Sequence, residues 1–231
     1  AKAAVLCAHF RAPLRRYSLG GNFNEVSVTL FDADGAEVPG SSHLAALRSE
    51  TGPASAGRLS GRDPADRDFS DGGGAFPIPF VINTVDPSQN RMLIGLFSLY
   101  ESGDGLETIR SIVPSKEGVG ASLTHVFSAL AYGGREVGTV KPDVIYAAMG
   151  NLIFVRELIT HGDARDFEIN AIPASGTIQD IVLDPHDWKT AYATDGYRVY
   201  KSTDAGKHWG VISAKLADGE LRSLEFIETA A

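Results

Sequence analysis

The feature that most limits what this chain can fold into is an internal repeat. Residues 177 to 213, "TIQDIVLDPHDWKTAYATDGYRVYKSTDAGKHWGVIS", split into four short runs rich in Val, Ile, Thr and Tyr. The runs "TIQDIVL", "TAYAT", "RVYKS" and "HWGVIS" are separated by "DPHDW", by Asp195-Gly196 and by "TDAGK". Short β-branched and aromatic runs between Gly, Asp and Pro clusters read as strands joined by tight turns. An earlier stretch, "PFVINTVDPSQNRMLIGLFSLYESGDGLETIRSIV" (79 to 113), copies the pattern. Asp86-Pro87 stands where Asp184-Pro185 stands, and Tyr100, Ser102 and Asp104 answer Tyr200, Ser202 and Asp204. A looser copy lies between them, from about 124 to 173, with Tyr146 and Gly150 at the places of Tyr192 and Gly196. Its third turn, around His161-Gly162-Asp163, has lost the Ser/Asp/Trp pattern, and "LRSLEFI" (221 to 227) resembles a further first strand. Units of roughly 45 to 50 residues with four strands each are the size of a propeller blade.

The third turn of the last unit carries Ser202-x-Asp204-x-Gly206-x-x-Trp209. An Asp side chain at a tight turn satisfies backbone N–H groups two residues on. Glycine supplies a positive φ there, and a tryptophan just beyond can fold under the turn. The four residue types are therefore explained by turn closure, which assigns the Asp204 carboxylate to structure.

These residues resemble the Asp-box, or bacterial neuraminidase repeat. The resemblance implies an all-β fold, a β-propeller of four-stranded antiparallel blades, with the motif on the hairpin between third and fourth strands. The copy at Ser102 and Asp104 has Leu106 for the glycine and Ile109 for the tryptophan. The resemblance covers residues 76–231, an incomplete set of blades starting near 79, 124, 177 and 221. Residues 1–75 lie outside it. There, "NEVSVTLFDADGAEVPG" (24 to 40) reads as a hairpin about Asp34-Gly35, and "SSHLAALRSE" (41 to 50) as two helical turns capped by Ser41 or Ser42. The opening on Ala1 fits an excised piece of a longer polypeptide.

Composition narrows the function. The net charge of -8 repels a phosphate backbone, so nucleic acid is not an expected partner. No apolar run reaches the ~20 residues of a membrane helix; "VIYAAMGNLIFV" is interrupted by Gly150 and Asn151. Cys7 is the only cysteine, which excludes an intrachain disulfide and fits a bacterial protein.

Sialidases, which share the repeat, carry a Phe/Tyr-Arg-Ile-Pro signature whose arginine holds the substrate carboxylate. Here "FPIP" (76 to 79) places Pro77 at the arginine. Xyloglucan-cleaving hydrolases carry repeats similar to 184–209 and need two facing carboxylates, for which Asp180, Asp187 and Glu225 are candidates. The loop "RDPADRDFSDGGG" offers Asp63, Asp66, Asp68 and Asp71 as oxygen ligands for calcium, the one metal the sequence admits. No cofactor motif appears, and His208 reads as a strand residue of the last hairpin.

The expectation is a non-catalytic recognition module of a larger bacterial secreted or cell-surface protein. It would bind a protein or glycan, with further blades supplied by the same polypeptide or another subunit. The alternative is a glycoside hydrolase, sialidase-like or xyloglucanase-like, with part of its catalytic set elsewhere.

Overall fold

The computed structural model describes residues 5–8, 14–19, 26–47 except 33 and 45, 57–58, and 79–113 except 87–89, 97 and 106–108. It also describes 126–213 except 175, and 221–227; side chains are described from Val28 on, save those of 43–58. Among these residues the regular structure is β-strand, with one 3-10 turn at Ala164–Asp166.

Four sheets of four strands follow one another along the chain. Sheet 1 holds β1 (Val5–Ala8), β2 (Leu14–Leu19), β3 (Val26–Phe31) and β4 (His43–Leu44). A separate ribbon pairs β5 (Ala46–Leu47) with β6 (Gly57–Arg58). Sheet 2 is β7 (Phe80–Ile82), β8 (Met92–Gly95), β9 (Leu99–Ser102) and β10 (Arg110–Val113). Sheet 3 is β11 (Phe127–Glu136), β12 (Thr139–Met149), β13 (Leu152–Arg156) and β14 (Glu168–Ala171). Sheet 4 is β15 (Asp180–Leu183), β16 (Ala191–Thr194), β17 (Val199–Ser202) and β18 (Gly210–Val211). In each, every strand pairs antiparallel with its sequence neighbour.

The sheets stack face to face because sheet 3 is apolar on both sides. Successive side chains of a strand point to opposite faces. On β12, Ile145, Ala147 and Met149 join a cluster with Leu93, Leu99, Ile112 and Val113 of sheet 2. Val144, Tyr146 and Ala148 join the opposite cluster with Ile181, Ala191, Ala193, Tyr200 and Trp209 of sheet 4. The first strands lie nearest one another, β11 against β7 and β8 on one side and β15 on the other. Small residues allow close approach: a Cβ at Gly134 would lie 2.5 Å from Trp188 Cβ. The long β11–β12 hairpin is also tied to sheet 4, since Trp188 N–H donates to Arg135 O at 2.8 Å.

The described part of the segment expected as a helix, residues 41–44 and 46–47, is extended instead. His43 and Leu44 pair with Val28 and Ser27 at the edge of sheet 1. Ser41 Oγ accepts from Leu30 N–H at 3.0 Å, so this hydroxyl anchors the chain to β3 rather than capping a helix. Two apolar turns of helix are marginal alone, and an open strand edge outcompetes them. The expected hairpin about Asp34-Gly35 does turn there, with Asp32 Oδ1 accepting from the Asp34 and Ala36 amides. Its return leg bridges β3 only at Phe31–Glu37 before β4 resumes pairing.

Gly134→Ala should destabilise the fold by about 1–3 kcal/mol, because the added methyl meets the backbone-fixed base of a buried tryptophan. Urea unfolding of the variant checks this; an unchanged midpoint would show that the two sheets are not in close contact at this point.

Candidate functional site

The turn after β17 brings together all four residues singled out in the sequence. Ser202 Oγ donates to Asp204 Oδ1 at 2.9 Å and accepts from the Gly206 amide at 3.0 Å. The other face of Asp204 holds His208, whose amide donates to Oδ1 at 2.9 Å and whose Nδ1 lies 2.6 Å from Oδ2. Trp209 folds beneath the loop and donates from Nε1 to Gly206 O at 3.0 Å. Gly206 needs its glycine twice over, having φ +78° and a Cβ position 2.9 Å from Val155 Cγ2 of sheet 3. The His208 amide and imidazole, then Ser202, hold the Asp204 carboxyl at about 2. Its charge is committed to turn closure. His208 lies in the turn and is 89 % exposed, not in a strand as expected, because Asp204 captures it.

The turn after β9 repeats the kernel. Ser102 Oγ donates to Asp104 Oδ1 at 3.0 Å, and Ile109 is buried at the tryptophan position. The turn after β13 reaches the same end by other residues. Asp166, with a fully buried carboxylate, accepts from the amides of Thr160, His161 and Gly162, from Thr160 Oγ1 and from His161 Nδ1. Burial opposes its ionisation, but these hydrogen bonds prevail and keep its carboxyl below the usual carboxylate range. Here Arg156 pairs with Ile145 in the register where Ser202 pairs with Ala191 and Ser102 with Met92. An arginine thus replaces the turn serine.

That arginine belongs to the strongest electrostatic cluster among the described residues, one the sequence does not announce. Glu101, 4 % exposed, sits between sheets 2 and 3. It accepts from Arg156 Nη2 at 2.6 Å, Arg91 Nη2 at 3.0 Å, Arg110 Nη2 at 3.1 Å and Tyr132 Oη at 2.6 Å. Arg91 also binds Asp143 at 2.6 Å, and Arg156 donates from Nε to Asp143 O. Burial favours the neutral acid, yet the Arg156 hydrogen bonds and charge, then Tyr132 and Arg91, hold the Glu101 carboxyl at about 2. The same burial and the nearby carboxylate push the Tyr132 phenol well above its ordinary value. With each oxygen of Glu101 engaged, the cluster can clamp two sheets and offers no free base.

Two of the other acids considered from sequence also serve the backbone. Asp180 accepts from the amides of Ile181 and Leu224, and burial raises its carboxyl above the ordinary value. Asp187 accepts from the Lys189 amide and from Thr190 Oγ1. Glu225 lies exposed in the 221–227 segment. The calcium candidates Asp63, Asp66, Asp68 and Asp71, and Pro77, lie outside the described residues. Among the described residues no group of three or more His, Cys, Asp or Glu converges to hold a metal. No described helix is long and apolar enough to cross a membrane.

No protein-family model and no curated protein sequence matches the chain. Solved structures do. YCF48 from Cyanidioschyzon merolae aligns with a TM-score of 0.53 at 10 % identity, over 89 % of this chain and 57 % of that one. An ancestral GH74 enzyme aligns with a TM-score of 0.49 at 13 % identity, over 84 % of this chain and 22 % of that one. The chain is a β-propeller with an incomplete set of blades. It spans somewhat over half of the length of the first of these structures and about a fifth of the second.

Glu101→Gln leaves buried guanidinium groups without their counter-charge and should cost about 3 kcal/mol or more in urea unfolding. The carboxyl lies below its ordinary value when folded, so its contribution is present above about pH 4.5 and fades as pH falls towards about 2. The variant should lose that part of the acid sensitivity. A wild-type acid profile in Glu101→Gln would contradict the assignment.

Proposed function

We propose that the chain is part of a non-catalytic recognition propeller, in a larger bacterial secreted or surface protein, that presents its faces to a protein or glycan. In this reading the Ser202–Trp209 and Ser102–Ile109 turns are Asp-box braces. The observation that carries it is the engagement of the strongly depressed carboxyls already described. Asp204 and Asp166 close their own turns and Glu101 clamps neighbouring sheets, so none of the three faces a ligand. The acidic balance of the chain turns it away from nucleic acid.

Hydrolysis of a glycan is the second reading, and Asp180 is what favours it. A general acid in glycoside cleavage needs a raised pKa, and Asp180 has one through burial. Against this, both of its oxygens accept backbone amides.

Incubation of the purified chain with xyloglucan oligosaccharides and with a fluorogenic sialoside tests the two readings. The recognition reading expects no turnover, and affinity chromatography on immobilised glycans or partner proteins to detect binding. Turnover that disappears in Asp180→Asn would establish the hydrolase instead.

A further inference from the structure

Sheet 3 departs from its neighbours in its first hairpin. β11 and β12 run for 10 and 11 residues, against 3 and 4 in β7 and β8 and 4 each in β15 and β16. Sheets 2 and 4 join these strands through the connections 83–91 and 184–190, each closed by the side chain of its first residue, Asn83 or Asp184. In sheet 3 the strands instead continue to a two-residue turn, Val137-Gly138. That turn carries a residue its backbone disfavours. Val137 has φ +49° and Gly138 φ +79°, a pair of positive angles that Asn-Gly and Asp-Gly accept readily. Of the three non-glycine residues at positive φ among the described residues, the others being Asn90 and Ala205, Val137 alone is β-branched. A branched Cβ crowds its own backbone there. Packing does not offset this, because Val137 is 93 % exposed and Val140, just past the turn, 37 %.

The tip is nevertheless firmly held. Val137 N–H donates to His186 O at 3.2 Å, Trp188 N–H to Arg135 O at 2.8 Å, and Glu136 bridges Asp187. The Glu136 carboxylate binds Lys189 and, at 3.4 Å, Lys141. Those charges occupy the face turned to sheet 4. Arg135 and Val140 stand opposite one another in the register, so their side chains share the other face. Arg135 is exposed, and its guanidinium meets no carboxylate among the described residues. The tip thus presents two valines and one uncommitted cation on a framework that loses little freedom when bound.

We infer that this tip is a docking knob for a partner protein, whose matching surface is a shallow apolar pocket with carboxylates at its rim. Val137 and Val140 enter the pocket, and Arg135 meets the rim, where its fork can pair with a carboxylate. Addition of a strand to the hairpin edge is disfavoured, since Pro142 lacks an N–H and its carbonyl already accepts from Asn83 Nδ2 at 2.7 Å. An anionic bilayer is disfavoured by the net charge of -8 and by the small area of two valines. The inference rests on the recognition reading and deepens it, naming the face and the kind of partner.

The test places a benzophenone amino acid in the natural polypeptide, made in its own cells, at the position of Thr139. That residue is exposed beside the turn, and replacing it leaves Val137, Val140 and Arg135 intact. A second form carries the same group in place of Tyr197, 71 % exposed between β16 and β17 at the opposite end of the sheets. Irradiation from position 139 should join one other protein, through a peptide that holds apolar and acidic residues together. With that protein purified, Val137→Asn should weaken binding about tenfold or more, while the urea midpoint of the chain stays level or rises because asparagine accepts the positive φ. Arg135→Glu should weaken binding at least as much, by setting like charges against one another. A Val137→Asn variant that binds as the wild type does, or that unfolds at lower urea, would overturn the inference. So would cross-links from position 139 to lipid, to a second copy of this chain, or to a peptide without acidic residues. Cross-links from position 197 alone would overturn the knob and leave the recognition reading standing, and none from either position would remove both.

Discussion

The structure depends on a sheet that is apolar on both faces. A strand alternates its side chains, so the buried half of β12 can be apolar throughout only if something packs on each side of sheet 3. Sheets 2 and 4 supply that cover and in doing so acquire the same need. β8 and β9 are buried along their whole length, which places sheet 2 under cover on both faces as well. An architecture of this kind grows by repetition: each unit buries its neighbour's face and presents the next.

What varies between units is how the third turn is closed and what holds adjacent sheets together. Sheets 2 and 4 close the turn with a serine and an aspartate two residues on, while sheet 3 uses Asp166 from the far end of the loop. The exchange is linked to the ion cluster, because the position given to serine elsewhere is Arg156 in sheet 3. From there the guanidinium reaches across to Glu101. Sheets 3 and 4 instead meet through Gly206 and Trp209 below and Gly134 against Trp188. One boundary is held by buried charge and the other by shape. The two devices differ in their response to acid, since the first rests on the buried Glu101 carboxylate and the second on close packing.

Much of this was legible in the sequence where local chemistry repeats. The strands of 79–113 and 177–213, and the turn at Ser202–Trp209, could be read because turn residues and period-two runs recur in order. Sheet 1 carries such punctuation at Asp34-Gly35 but repeats no unit, and the pattern at 41–50 satisfies a helix as well as a strand edge until β3 is known to lie beside it. The Glu101 cluster was invisible for a different reason. Its partners lie 10, 9, 31 and 55 residues away, on different strands, so no spacing rule joins them. Arg156 and Glu101 read singly as solvated charges; only the register of sheets 2 and 3 brings them together.

The claim that the perturbed charges of this chain hold its sheets rather than perform chemistry is tested most directly by a double-mutant cycle on Glu101 and Arg156. Urea unfolding of Glu101→Gln, Arg156→Met and the double variant gives their coupling free energy. The account predicts strong coupling, about 1–3 kcal/mol, with the double variant less damaged than the two single losses added together. Additive losses, with coupling near zero, would contradict it and return both residues to consideration as parts of a ligand site.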